Sequence, residues 1–376
     1  MHPVFPPGAA AGPPPLRVLI GTDTYPPEPG GSAPSVRALA HELAARGHDV
    51  HVVCRSGHGP PRAARDGDVM VYRLRSVPLP GFGRICLPPL LAGPLRRLVE
   101  RIAPDVAHVH GAFAVARAVL GAARELGVPV VTRPVETLPG GVDLSRFRPP
   151  EEPRSRARAL LGLPDRLTVL SVGRLDARGR QEDLIRALPH VCRRLDVQAV
   201  VAGCGPRRAR LERLARRCGL TGRVHLPGPV PEDTLPLVYA AADVFAVPGA
   251  AGAGSAATLE ALEALATGLP VVSAGSGALD RLVLPGATGY LYAPGDVRAL
   301  AGRLARVLAE ETPDAMGAVC RAVAATHDRV RTVTRFEEIY ASLARARRRP
   351  LRDLRTSCPP PAPGTPAPAR RSGGPW

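Results

Sequence analysis

At 376 residues with 45% hydrophobic side chains, the chain is long enough for two domains and too apolar to be mainly disordered. Its formal net charge of +17 rests on 50 basic residues, all of them Arg; Lys and Asn are both absent, a mark of GC-rich coding that explains part of the Arg excess without a binding surface. With aromatics at only 3%, the interleaving of basic and aromatic side chains that nucleic-acid binding requires is missing, and that class of partner is excluded.

In chain order, residues 1–15 form a Pro-rich, low-complexity tail that is expected to be disordered. It offers no apolar h-region of a signal peptide, and no run in the chain approaches the roughly 18 apolar residues of a membrane span. The seven Cys are scattered, without a C-x-x-C pair or a His spaced to complete a metal site. The expectation is a soluble, cytoplasmic protein without a metal centre.

Residues 16–22 (LRVLIGT) predict a buried strand and 23–34 a turn-rich loop. Residues 35–46 carry Val36, Leu39, Ala40 and Leu43 at helical spacing, and Gly47 ends that helix. Further strands are expected at 49–54, 69–74, 105–110 and 128–132, with helices at 88–102 and 112–126. In 88–102 the basic residues Arg96, Arg97 and Arg101 flank Leu91, Leu95 and Leu98, a pattern of an amphipathic domain helix or of a helix meeting an anionic membrane surface.

The alternation restarts after residue 165, with strands at 167–172, 197–202, 224–226, 244–247 and 271–273 and helices at 181–194, 207–218, 231–242 and 256–267. Alternating strands and helices predict two parallel sheets covered by helices, with ligands at the carboxyl ends of the strands. A second Pro-rich tail, 346–376, closes the chain.

Several signatures occur in a fixed order: Tyr25-Pro-Pro-Glu-Pro-Gly-Gly31, Pro104-Asp-Val-Ala-His-Val-His-Gly111, Gly141-Val-Asp-Leu-Ser-Arg-Phe-Arg-Pro149, Val172-Gly-Arg-Leu175, Ala202-Gly-Cys-Gly-Pro206, Ala241-Ala-Asp-Val-Phe245, Leu262-Glu-Ala-Leu-Ala-Thr-Gly-Leu-Pro-Val-Val272 and Pro285-Gly-Ala-Thr-Gly-Tyr-Leu-Tyr-Ala-Pro-Gly-Asp296. Each is weak alone; the ordered set over residues 16–343 resembles glycosyltransferase family 4, including its mannosyltransferases and D-inositol-3-phosphate glycosyltransferases. The resemblance implies an α/β chain of the GT-B fold, two Rossmann-like parallel-sheet domains facing across a cleft. Their expected extents are 16–139, the acceptor side, and 140–328, the nucleotide-sugar side, with a C-terminal helix at 329–345. It further implies retaining, metal-independent transfer from a nucleotide-diphosphate sugar, which serves as donor substrate rather than cofactor, to a small-molecule or lipid-linked alcohol.

Breaking the glycosidic bond puts negative charge on the leaving diphosphate, and backbone N–H groups, helix N-termini and cations must meet it. The resemblance places Gly30 and Gly31 where backbone approaches phosphate or acceptor, and Arg174 where the family holds phosphate. The family's following Lys has no counterpart, so Arg178 or Arg180 is its stand-in. Gly205, Thr258 and Leu259 fall in donor-binding motifs, and Glu263 is expected to accept hydrogen bonds from the ribose. His110, ending the fourth expected strand, is the candidate catalytic group or else a structural His.

Two departures stand out. Eight positions before Glu263 the family has a sugar-contacting Glu; here Ser255 stands, able to cap a helix but not to replace a carboxylate. Glu260, one turn before Glu263, either substitutes for it or is solvated. After Thr132, where relatives place a His on a cleft loop, the chain reads Arg133-Pro134 and passes almost at once into Gly140 and Gly141. About 60 residues, two βα units at about 30 each, are expected there and are missing, so the first domain is incomplete. The function expected is a glycosyltransferase, the alternative a catalytically impaired homologue that only binds nucleotide sugar.

Overall fold

Short apolar runs become strands and the amphipathic stretches between them become helices, as the alternation predicts. The computed structural model describes residues 14–348 apart from 28–32, 58–59, 80–82, 87, 112–113, 133–140, 250–253, 276, 278 and 310–312. Gly30, Gly31, the side chain of Ser255 and nearly all of both Pro-rich tails lie outside the described residues.

The first half runs β1 (Arg17–Thr22), α1 (Ala33–Ala45), β2 (Asp49–Arg55), β3 (Arg62–Asp66), β4 (Val69–Leu74), β5 (Val77–Leu79), β6 (Gly83–Ile85), α2 (Pro88–Ile102), β7 (Val106–His110), α3 (Ala114–Glu125) and β8 (Val130–Thr132). Its sheet has the order β3-β4-β2-β1-β7-β8, parallel except for β3, which pairs antiparallel with β4. β8 starts later than expected because Pro129 has no N–H to give the ladder; its carbonyl instead accepts the Ala107 N–H. Among the described residues the sheet ends at β8, where two further βα units are expected.

The second half runs α4 (Arg154–Leu160), β9 (Leu167–Val172), α5 (Gln181–Cys192), β10 (Val197–Ala202), α6 (Arg208–Arg217), β11 (Val224–Gly228), α7 (Leu235–Ala240), β12 (Val244–Val247), α8 (Gly254–Ala266), β13 (Val271–Ala274), β14 (Gly289–Tyr292), α9 (Val297–Ala309), α10 (Pro313–Ala325) and α11 (Arg329–Arg348). Its all-parallel sheet has the order β11-β10-β9-β12-β13-β14. α7 is shorter than expected: residues 232–234 form a turn, and Pro236 sits in the first helical turn, where its missing N–H is tolerated.

Both sheets reverse direction of growth once, between β1 and β7 and between β9 and β12. Such switch points open a crevice at the carboxyl ends of the strands. Two buried clusters flank the second sheet, one with α5, α6 and α9 and one with α7, α8 and α10. α2 buries Leu91, Leu95 and Val99 against the first sheet, so Arg96, Arg97 and Arg101 form its exposed face.

α11 returns to the first sheet. Val333, Phe336, Tyr340, Ala341 and Ala344 are buried with β1, β2, β4 and α1, and the Tyr340 hydroxyl meets His108 Nδ1 at 2.5 Å. Glu337 accepts from Arg46 at 2.6 Å and from His48 Nε2 at 3.0 Å. Since His48 Nδ1 accepts the Leu16 N–H at 3.1 Å, its ring proton sits on Nε2 and points to the carboxylate. The two passes of the chain between the halves are tied together: Val142 pairs with Asp328, and Arg329 forms an ion pair with Asp143.

Candidate functional site

The residues that leave the second sheet at its switch point build one cavity. Ser171, Val172, Gly173 and Arg174 leave β9, Val247, Pro248 and Gly249 leave β12, and Arg178, Gly179 and Gln181 close the rim with Ala257 and Glu260 of α8. An adjoining cavity is lined by Gly203, Cys204, Pro229, Val230, Glu232, Leu259, Glu260 and Glu263, again with Gly173 and Arg174. A third completes the cleft, joining Pro34, Ser35, Arg37 and His41 of α1 to Arg146, Glu232, Leu259, Glu263 and Arg329. Arg37 Nη1 stands 4.0 Å from Glu232 Oε2 across that gap.

Glycine is required where the loops after β9 and β10 meet. A Cβ on Gly203 would lie 1.8 Å from the Gly173 carbonyl oxygen, and one on Gly205 would lie 2.3 Å from that of Leu175. Gly205 therefore shapes the loop and is not itself among the described residues lining the cavities.

Arg174 is half exposed and rests weakly against Asp176 at 3.4 Å. Asp176 accepts the backbone N–H groups of Arg178 and Gly179 at 2.9 and 3.3 Å. Against the opposing effect of burial, those N–H groups and Arg174 hold its carboxyl low. Arg178 and Arg180 part company. Arg178 lines the first cavity, whereas Arg180, in the left-handed region at φ 49°, turns away into an ion pair with Asp183 at 2.7 Å. Of the two stand-ins for the family's Lys, the structure brings only Arg178 to the cavity.

Glu263 is buried and accepts the Tyr239 hydroxyl at 2.9 Å. Burial pushes its carboxyl up to about 7, tempered by that hydrogen bond and by Arg146. Glu260 is drawn into the same site: it lines both adjoining cavities, and burial followed by the neighbouring Glu263 pushes it up to about 8. Leu259 borders the second and third cavities, while Thr258 is buried in the helix and lines none of them. His110 ends β7 with its ring centroid 4.1 Å from that of His108; it is not among the described residues lining these cavities.

Arg146 and Gln181 were not singled out in the sequence. Arg146 sits in the Gly141–Pro149 signature, stacks its guanidinium 5.4 Å from the Phe147 ring and keeps Nη2 buried without a hydrogen-bond partner. Gln181 donates to the Arg174 carbonyl at 3.1 Å, leaving its buried Oε1 unpartnered. No periodicity marks such residues; their role lies in which loop they meet.

The chain matches the description "Glycosyltransferase Family 4" over residues 29–172 and "Glycosyl transferases group 1" over residues 154–321. It is 33% identical to the GDP-mannose-dependent alpha-(1-6)-phosphatidylinositol monomannoside mannosyltransferase of Mycolicibacterium smegmatis, with 78% of this chain and 89% of that protein covered. It is 36% identical to the D-inositol 3-phosphate glycosyltransferase of Salinispora tropica, over 59% of this chain and 49% of that one. Among solved structures it resembles sucrose-phosphate synthase from Thermosynechococcus elongatus (TM-score 0.71, 24% identity, 88% and 99% covered). It also resembles Anabaena HepE in complex with UDP and glucose (TM-score 0.65, 20% identity, 87% and 100% covered); these two likenesses concern the fold.

The Mycolicibacterium match runs over 349 positions yet takes in 78% of 376 residues, about 293, so about 56 positions face no residue of this chain. With both halves matched and a relative aligned over most of its length, the chain belongs to glycosyltransferase family 4 and is a glycosyltransferase of the GT-B fold.

Proposed function

We propose that the chain transfers a sugar from a nucleotide-diphosphate sugar to an alcohol, with retention at the anomeric carbon and without a metal ion or cofactor. The observation that carries this reading is the convergence of Arg174, Arg178 and Glu263 on adjoining cavities at the switch point of the second sheet. Two guanidiniums supply positive charge where the diphosphate gains negative charge, and a buried carboxylate accepts from ribose hydroxyls. The names of similar proteins favour GDP-mannose as donor and an inositol phosphate or phosphatidylinositol-linked acceptor. For a lipid-linked acceptor, exposed Arg96, Arg97 and Arg101 offer electrostatic contact with an anionic surface, without insertion, because Leu91 and Leu95 on the same helix are buried against the first sheet.

Purified protein incubated with GDP-mannose, UDP-glucose and inositol phosphates, with product analysis by mass spectrometry and anomeric NMR, tests this reading. A glycosylated inositol phosphate of retained configuration supports it; inverted product or a requirement for divalent cation overturns it. A second reading, binding of nucleotide sugar without turnover, is favoured by Ser255 at the position of the family's sugar-contacting Glu and by the short run of sequence between Thr132 and Gly141. Saturable binding without transfer or hydrolysis in the same incubations selects it.

A further inference from the structure

Glu260 is an acidic group in a cavity it shares with Arg174 and Arg178, where the other carboxylate, Asp176, is already engaged by Arg174 and by the N–H groups of Arg178 and Gly179. Its carboxyl faces Gly173 so closely that a Cβ there would lie 3.3 Å from both oxygens. It forms the wall between the cavity of Arg174 and Arg178 and the cavity of Glu263. No cation forms an ion pair with it among the described residues: Arg174 rests on Asp176, and Arg146 stacks on Phe147. The charged and titratable groups around it are Glu263 on its own helix, Tyr239 of α7, Glu232 before α7, Arg174, Asp176 and Arg178 after β9, Cys204 after β10, and Arg146 from the segment before α4. An ionised carboxylate here would oppose every phosphate that entered.

Resting on the proposed function, we propose that Glu260 meets the donor as a carboxylic acid and donates its proton in a hydrogen bond to a diphosphate oxygen. No covalent bond changes; the proton stays on Glu260 while the donor is bound. A carboxylic acid held neutral by burial and by a neighbouring carboxyl is an effective donor to an anion. The upward shift to about 8 fits this assignment, and an adjacent diphosphate drives it further up. Donor binding above that pH therefore takes up a proton.

The test is isothermal titration of the full chain with GDP-mannose and UDP-glucose from about pH 6 to about pH 9, in buffers of different ionisation enthalpy. Wild type is expected to lose affinity about tenfold per pH unit above about pH 8 and to bind with proton uptake there. E260Q keeps an N–H donor and loses both the alkaline limb and the proton uptake; E260A binds weakly at every pH. E263Q keeps the alkaline limb, which separates the two carboxyls. An affinity independent of pH in wild type, or an alkaline limb that survives in folded E260Q, overturns this assignment alone. Failure of wild type to bind any nucleotide sugar overturns it together with the proposed function.

Discussion

Tyr239 donates its hydroxyl to Glu263 Oε2 at 2.9 Å from a fully buried position between Phe147 and Phe245. The bond favours the ionised carboxyl, working against burial, which holds Glu263 up at about 7. Tyr239→Phe removes that donor and raises the Glu263 pKa further. Since ribose hydroxyls need the ionised form, the acid limb of donor affinity moves to higher pH, by about one unit if the bond contributes about 1.4 kcal/mol. Titrations of wild type and Tyr239→Phe against pH check the direction; an unmoved or downward-shifted limb refutes it.

Glu260 and Glu263 both hold protons more tightly in the folded chain than their ordinary value of 4.5. The folded state therefore binds more protons than the unfolded one between about pH 4.5 and about pH 8, and stability contributed below that window is lost as pH rises through it. Glu260→Gln is expected to raise the melting temperature by a few degrees above pH 8 and to leave it near wild type at about pH 4.5. Calorimetric scans at the two pH values decide the point, and an equal effect at both contradicts the assignment.

Arg178 faces the cavity and Arg180 pairs with Asp183. Arg178→Ala is expected to lower donor affinity or kcat by one decade or more, as loss of a charged contact to the leaving group does. Arg180→Gly loses an ion pair but relieves a left-handed backbone that costs a non-Gly residue about 1–2 kcal/mol, while Asp183 keeps Arg186 at 3.2 Å. Its stability stays within about 1 kcal/mol of wild type and its donor affinity is unchanged. Parallel titrations and urea unfolding of the two variants check this, and a larger affinity loss in Arg180→Gly would reverse the assignment.

Glu337 fixes α11 to the first sheet through Arg46 and His48. Glu337→Ala leaves the buried His48 N–H without its acceptor and is expected to cost about 3 kcal/mol. Urea unfolding followed by proteolysis of the first half reads this out; a loss below about 0.5 kcal/mol would show the contact to be dispensable.

Much of the second sheet was legible because its strands are buried on both faces. VQAVVA in β10 is buried at all six positions and cannot be mistaken for surface. β3 escaped for the opposite reason: RAARD is almost wholly exposed and presents no alternation. Arg174 and Glu263 could be assigned from their motifs, since Arg174 follows the end of β9 in Val172–Leu175 and Glu263 stands at a fixed distance before Gly268-Leu-Pro270. The choice between Arg178 and Arg180 was not legible, because it turns on the left-handed φ of Arg180 and on its ion pair with Asp183 in the first turn of α5, neither of which the residue order specifies. Glu260 was ambiguous because helical spacing gives a face but not what that face meets, and only the approach of Gly173 makes it part of the cavity.

The docking of α11 sets an order of events during synthesis. Residues 333–344, which complete the apolar cover of the first sheet, leave the ribosome after the whole second domain. The half translated first is thus the half finished last. A nascent chain halted before residue 329 carries β1, β2 and β4 with one face covered by α1 alone, an apolar surface that chaperones would hold until the final helix arrives.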